Sequence, residues 1–359
     1  MKFFDHPLYR EDLARIASCP GIPWEILRNS SLMVSGATGM IGSLLIDSLM
    51  YKNAHDGLGC KVIALGRNEA KARERFGCYQ NSGCFRFLRC DINQVASLPA
   101  DAGADYVLHL ASHTHPVAYS TDPIGTVVTN VLGTKNLLDL SVRCRAKRFL
   151  FASSNEVYGE NRGDVELFDE SYCGYIDSNT LRAGYPESKR CGEALCQAYR
   201  KQAGLDCVVA RLTRSFGPSL LDSDTKALTQ FIKNGLAQED IVLKSPGFQY
   251  YSYTYAADAV TGLLTVLLRG ENGMAYNVAD QSCDIRLKDL AAMVARLTGT
   301  RVTFDLPSEN EALGFSKATK ARLDGAKLKS LGWRIGYTLD EGLRRTLCIL
   351  QETGMHHDQ

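Results

Sequence analysis

Tyr185 and Lys189 stand four residues apart in "YPESKRCGEAL", a spacing that puts both side chains on one face of a helix. An ammonium beside a phenol favours the phenolate, so the pair has the makings of a general base. Upstream, "FASSNEVYG" ends an apolar run with two hydroxyls, an amide and a carboxylate. Chance pairs of Tyr and Lys are common on helices. What gives this one weight is a second motif, "VSGATGMIGS", where Gly36, Gly39 and Gly42 fall on a three-residue beat after an apolar run and before a helical pattern. Between a strand and a helix, the first glycine permits a tight turn. The second lets the backbone approach a pyrophosphate, and the third lets helix and strand pack closely. The helix N-terminus then offers N–H groups and a positive dipole end to the phosphates.

These motifs need a scaffold, and the apolar pattern supplies one. "SLMVSG", "KVIALG", "CFRFLRCDI", "DYVLHLAS", "RFLFASS" and "DCVVARL" read as strands. Helical patterns separate several of them, among them "MIGSLLIDSLMYKN", "TVVTNVLGTKNLLDLSVRC" and "YPESKRCGEALCQAYRKQ". Such alternation predicts α/β architecture, a Rossmann-type doubly wound parallel sheet over residues 31–213. Residues 1–30 read as an N-terminal extension with one short helix. Residues 214–350 break the alternation and read as a smaller substrate-binding part with some elements returning to the sheet, and 351–359 as a tail. At the end of the second strand Gly66 stands where an acidic residue would grip the 2′-hydroxyl of NAD, and Arg67 follows. Arg67 either accommodates a 2′-phosphate, which favours NADP modestly over NAD, or is an exposed surface residue. Asp91 either accepts a hydrogen bond from the adenine amine or closes a strand-end turn.

The chain of 359 residues carries a formal net charge of +1, which gives no reason to expect nucleic acid or an anionic membrane as partner. Its twelve cysteines are scattered without C-x-x-C pairs, as expected of reduced thiols in a cytoplasmic protein. No apolar run suits a signal peptide or a membrane span. No metal is expected; the tail "GMHHDQ" holds only an isolated His pair.

Taken in order, "GATGMIG", "DYVLHLAS", "NVLGTKNLL", "SSNEVYG", "YPESKRCGEAL", "SFGP" and "SYTYAADAV" resemble the extended short-chain dehydrogenase/reductases that modify nucleotide sugars. The likeness runs from about Ser31 to Leu350 and is closest in motif to the UDP-glucuronate decarboxylase branch, with 4,6-dehydratases and 4-epimerases as relatives. It implies oxidation of the sugar at C4 to a 4-keto intermediate, with a homodimer formed through a four-helix bundle. By position, Tyr185 takes the O4 proton, Lys189 holds the ribose and tunes Tyr185, Ser154 bonds the same oxygen, and Glu156 is the acid or base of the second stage. The implied cofactor set is Gly36, Thr38, Gly39, Met40, Ile41, Gly42, Arg67, Asp91, Ile92, Leu110, Ala111, Asn130, Tyr185 and Lys189.

Three substrate-side positions depart from the family pattern. Asn155 replaces the aspartic acid that protonates a departing 6-hydroxyl, which argues against dehydration. Tyr251 stands where the diphosphate arginine is usual, and Arg214 where an asparagine is. Arg214 therefore either grips the diphosphate or forms a structural pair with a carboxylate. The alternatives to C4-oxidation chemistry are an NADPH-dependent 4-keto-sugar reductase, favoured by Arg67, and a silent cofactor-binding regulatory module.

Overall fold

The computed structural model describes residues 3–94, 103–114, 119, 121–220, 224–305 and 319–354. The six apolar runs form strands β1 (Ser31–Ser35), β2 (Lys61–Gly66), β3 (Phe85–Arg89), β4 (Tyr106–His109), β5 (Arg148–Ser154) and β6 (Cys207–Leu212). Shorter strands follow: β7 (Arg214–Phe216), β8 (Ile241–Leu243), β9 (Tyr250–Tyr255), β10 (Ala275–Val278), β11 (Asp284–Arg286), β12 (Val302–Phe304) and β13 (Lys320–Ala321). The main sheet runs β3-β2-β1-β4-β5-β6-β10, and all its neighbours are parallel. β1 and β4, consecutive in space but not in sequence, mark the place where strand order reverses and where such sheets bind ligands. Register aligns Ser35 with Leu65 on one side and His109 on the other, so the chemistry-bearing strand ends share one edge.

Burial on both faces explains why these strands read as continuous apolar runs rather than alternating ones. All of β4 and nearly all of β1 and β5 are buried. The helix Ala256–Arg269 is mostly apolar, and every residue of it but Arg269 is buried.

The pattern changes between residues 213 and 214, and elements from beyond that point return to the main sheet. β10 comes from beyond it, yet pairs with β6 from Ala275↔Val209 to Val278↔Leu212. β9 is flanked by β11 and β13 and also pairs with β7. Residues 3–30 join the core as well. His6 caps the helix Pro7–Ala17 by accepting the Leu8 N–H at 3.2 Å, and Tyr9, Leu13 and Ile16 from that helix are fully buried. Two buried carboxylates fasten it. Asp47 accepts from Tyr9, Tyr79 and Arg75. Asp12 accepts from Tyr255 at 2.6 Å and Arg345 at 2.9 Å.

The continuous helix expected over 126–144 starts earlier and is interrupted. Pro123–Val128 is helical, with Asp122 accepting the Gly125 N–H at 3.0 Å, followed by a π turn over Thr129–Gly133 and a helix over Thr134–Arg143. The wider turn matches local demands: Thr134 Oγ1 donates to the Asn130 carbonyl at 2.5 Å, and the Asn130 side chain is engaged with neighbouring segments.

Candidate active site

The glycine turn has the geometry its beat implied. Gly36 sits at φ 70°, and a Cβ there would lie 2.7 Å from the Ala111 nitrogen and 2.8 Å from the Leu110 carbonyl carbon. A Cβ on Gly42 would meet the Gly36 oxygen at 2.4 Å. Gly39 is the N-cap of the helix Met40–Asp56 and brings no capping side chain. The first-turn N–H groups of Met40, Ile41 and Gly42 therefore have no acceptor within the helix. Thr38 is part of this turn. A row of backbone donors at a helix N-terminus whose cap residue carries no side chain fits a dinucleotide pyrophosphate.

At the neighbouring strand ends, Ala111 donates to Ser35 Oγ at 3.3 Å and Leu110 to the Ser35 carbonyl at 3.3 Å. Ser35 Oγ also meets His109 Nδ1 at 2.8 Å, while His109 Nε2 meets Thr134 Oγ1 at 3.0 Å. Because Thr134 donates onward to the Asn130 carbonyl, the consistent assignment is a neutral imidazole protonated on Nε2. Burial holds His109 in that form, pushing its pKa down to about 3, with the charge of Lys189 adding to the effect. Asn130 is itself fully buried, accepts from Ser112 at 2.7 Å and donates to Ser188 at 2.9 Å.

The helix Gly184–Ala203 places Tyr185 and Lys189 side by side, both buried. Lys189 Nζ donates to the Ala152 carbonyl at 2.8 Å and lies 6.0 Å from the Tyr185 ring centroid. Burial brings the ammonium down to about 7, opposed by the charge of Glu193. Glu193 is held in turn by Arg211, at 3.0 and 2.7 Å, and by Ser153 at 2.6 Å. Tyr185 departs from the expectation of a lowered pKa. Burial pushes the phenol above its ordinary range and the charge of Glu156 adds to this, while hydrogen bonds from Ser154 and Ser112 and the charge of Arg182 pull the other way. In the chain alone, desolvation outweighs everything that favours the phenolate.

Glu156 lies in the short 3-10 turn Asn155–Tyr158 that follows β5, beside the buried Asn155. Arg182 Nη2 donates to its carboxylate at 2.8 Å. The Arg182 guanidinium sits 4.8 Å over the Tyr119 ring, which stacks on Tyr185 at 4.8 Å. Arg214 lies flat on Tyr251, its Cζ 3.6 Å from the ring centroid. No carboxylate pairs with it among the described residues. The Nη1 atoms of both arginines are buried without a hydrogen-bond partner among those residues. The charge of Glu156 acts on Tyr251 as well as on Tyr185, which puts both arginines around one site.

The structure thus brings Ser154, Glu156, Tyr185, Lys189, Asn130, Arg214 and Tyr251 together at the sheet edge that carries the glycine turn. Ile92 is buried and its carbonyl accepts from Asn136 at 2.8 Å. Asp91 closes a turn by accepting the Asn93 N–H at 3.0 Å, and Arg67 is exposed. Sequence reasoning missed Ser112, Tyr119 and Arg182. Arg182 stands three residues before Tyr185, just upstream of the stretch that carried the resemblance. Tyr119 offered no periodic signal.

A model of the NAD dependent epimerase/dehydratase family matches residues 32–279. The chain belongs to that family. It is 31% identical over 316 residues to UDP-glucuronic acid decarboxylase 1 of Xenopus tropicalis, covering 88% of this chain and 71% of the relative. UDP-glucuronic acid decarboxylase 5 of Arabidopsis thaliana is 29% identical over 316 residues, covering 88% and 87%. Among solved structures, a dTDP-glucose 4,6-dehydratase of Streptomyces venezuelae with NAD bound superposes with a TM-score of 0.76 at 25% identity, over 90% of this chain and 97% of that one. The chain is an NAD(P)-dependent enzyme of the class that transforms nucleotide sugars through 4-keto intermediates. Among the described residues, no helix is long and apolar enough to cross a membrane.

Proposed function

We propose that this enzyme oxidises C4 of a nucleotide-linked hexuronate and releases the sugar carboxylate as CO2. The observation that carries the reading is the pair of arginines around Glu156, each with a buried Nη1 for which no described residue provides an acceptor. A nucleotide uronate presents two anionic groups to such a site, the diphosphate and the C6 carboxylate. Arg214 is assigned to the diphosphate, its guanidinium lying on the residue that replaces the family's usual arginine. Arg182, joined to Glu156, is assigned to the sugar end. The decarboxylase names of the curated relatives support the same choice, as does Asn155, a neutral amide that cannot protonate a leaving hydroxyl.

NAD, when bound, would supply a hydride acceptor for C4 and a positive charge that favours the Tyr185 phenolate. The chain's own residues do the rest. Ser154 orients O4, Tyr185 takes its proton, and Lys189 holds the ribose hydroxyls. With a ketone at C4, the C6 carboxylate becomes a β-keto acid, whose C5–C6 bond breaks to give CO2 and leaves its electron pair as an enolate. Glu156, positioned by Arg182, would deliver the proton that C5 must then receive, and Tyr185 would return its proton to O4 as C4 is reduced again.

The test uses the full chain, NAD and UDP-glucuronate labelled with 13C at the carboxylate. Labelled CO2 and a UDP-pentose are the expected products. A C4 epimer with the label retained, or no turnover of any nucleotide uronate, overturns the reading. The finer cofactor choice follows Arg67: exposed beyond β2 with no acid at Gly66, it favours NADP, and with it the second reading, a 4-keto-sugar reductase drawing on NADPH. NADPH consumed stoichiometrically with a 4-keto nucleotide sugar would establish that alternative.

The enzyme is assigned as a homodimer. Ile124, Leu132 and Val142 expose apolar side chains on the helical segments between Pro123 and Arg143, which pack beside the Gly184–Ala203 helix. Two such pairs would meet as a four-helix bundle, and a monomer in sedimentation at micromolar concentration refutes it. All twelve cysteines are free thiols, which supports a reducing compartment, the cytoplasm.

A further inference from the structure

A second polar cluster, sharing no residue with the active site, joins the helix Pro7–Ala17 to the helix Leu339–Thr353. Cys348 and Glu352 lie one turn apart on the second helix, and His6 reaches them from the N-cap of the first. His6 Nε2 lies 3.2 Å from Glu352 Oε2, and Cys348 Sγ lies 3.3 Å from Glu352 Oε1. The three donor atoms all fall within 4.8 Å of one another. His6 is only 2% exposed, and its buried Nε2 makes no hydrogen bond among the described residues despite its closeness to the carboxylate. A nearly buried imidazole nitrogen aimed at a thiol and a carboxylate, and unsatisfied by either, is poorly explained as a surface ion pair.

We propose that His6, Cys348 and Glu352 form a zinc-class divalent metal site that clips the two helices together. Nitrogen, sulfur and oxygen donors are the set that a borderline-soft ion such as zinc accepts. In a tetrahedral site with bonds of about 2.0–2.3 Å, ligand atoms stand roughly 3.3–3.8 Å apart. His6 Nε2 and Cys348 Sγ approach different oxygens of the Glu352 carboxylate at 3.2 and 3.3 Å, already close to that spacing. The fourth position faces outward, where Glu352 is half exposed.

Binding exchanges protons in a definite way. The Cys348 thiol, which donates to Glu352 in the chain alone, loses its proton to solvent as the sulfur–metal bond forms. The imidazole has one lone pair to give, so its proton moves from Nε2 to Nδ1 and the Leu8 N–H loses its cap. At 3.2 Å that cap is long, and its loss is small beside a metal–nitrogen bond. Arg345, the nearby cation, does not compete for the carboxylate because its donors are taken by Glu11, Asp12 and the Leu8 carbonyl. His356 and His357 follow Gly354 in sequence but lie outside the described residues, and the site is defined without them.

The test is titration of the chelator-treated full chain with Co2+, which reports a thiolate ligand as a near-ultraviolet charge-transfer band. One equivalent should bind with that band and be displaced by Zn2+. Cys348→Ser should abolish the band, and His6→Asn and Glu352→Gln should each weaken binding about ten-fold or more. Asparagine preserves the helix cap at position 6, and circular dichroism checks that each variant folds. Absence of the band at one equivalent overturns the proposal, as does its persistence in Cys348→Ser. So does unchanged affinity in the other two variants, or loss of binding only when His356 and His357 are both changed to Asn.

Discussion

The two halves of the active site treat their polar groups in opposite ways. Around Tyr185 and Lys189, nearly every donor finds an acceptor within the chain: Lys189 on Ala152, Asn130 on Ser188, His109 between Ser35 and Thr134, Glu193 under Arg211. Around Glu156, two arginines keep buried Nη1 atoms that no described residue satisfies. A closed hydrogen-bond network fixes geometry before anything binds, as hydride and proton transfer require. An open one is costly until a matching anion arrives, and so discriminates between ligands. The redox half is therefore set before anything binds, and the substrate half is where a ligand's charge decides.

That contrast can be broken by substitution, beginning in the redox half. Tyr185→Phe removes the proton acceptor for C4 oxidation, and kcat should fall by about 10⁴, the upper range for acid–base groups. Stopped-flow absorbance should show no reduced nicotinamide on mixing with a nucleotide uronate. Glu156→Gln should cost about 10²–10³ in turnover, yet still allow oxidation. Here the reduced cofactor should appear on mixing and then persist; normal turnover would make Glu156 a bystander. Arg214→Met should raise KM for the nucleotide sugar roughly 10–100-fold with kcat little changed, the range for a hydrogen bond to a charged group. An equal fall in kcat would move Arg214 out of the binding role. Arg67→Ala should weaken NADP roughly ten-fold and leave NAD unaffected, read by fluorescence titration.

The smallest effect sharpens the contrast from the stability side. Lys189 has a folded pKa of about 7 against an ordinary 10.5, so between these values the unfolded chain holds more protons. Stability of the cofactor-free protein should therefore rise with pH above 7, by about 1 kcal/mol per unit from this group, and that contribution should level off towards 10.5. Urea unfolding at pH 7.5 and 8.5 should show the rise in wild type and its loss in Lys189→Met. Equal slopes in both proteins would mean the amine is solvated.

Local spacing explains what was legible in the sequence. A glycine beat, a Tyr–Lys pair at four residues and a hydroxyl at a strand end are all set by a few neighbouring residues. Arg182 was in plain view but carried no signal, because its importance comes from the ion pair that tertiary closure creates with Glu156. Tyr119 is significant only through its stacking on Tyr185. The raised pKa of Tyr185 was likewise beyond reach: spacing shows which charge is near, while desolvation depends on the whole fold. The π turn at Asn130 escaped because helical periodicity runs through it nearly unchanged.

The late origin of β10 bears on how the chain is made. The cofactor half leaves the ribosome first, but its sheet then ends at β6, an unpaired parallel edge rich in apolar residues. The helix that covers the sheet, Ala256–Arg269, has not yet been synthesised either. A nascent chain stopped near residue 213 thus displays a raw strand edge and an uncovered apolar face, the surfaces that recruit other chains into aggregates. The main sheet cannot be completed until Val278 has emerged, and a shortened gene cut at the apparent boundary should give insoluble protein.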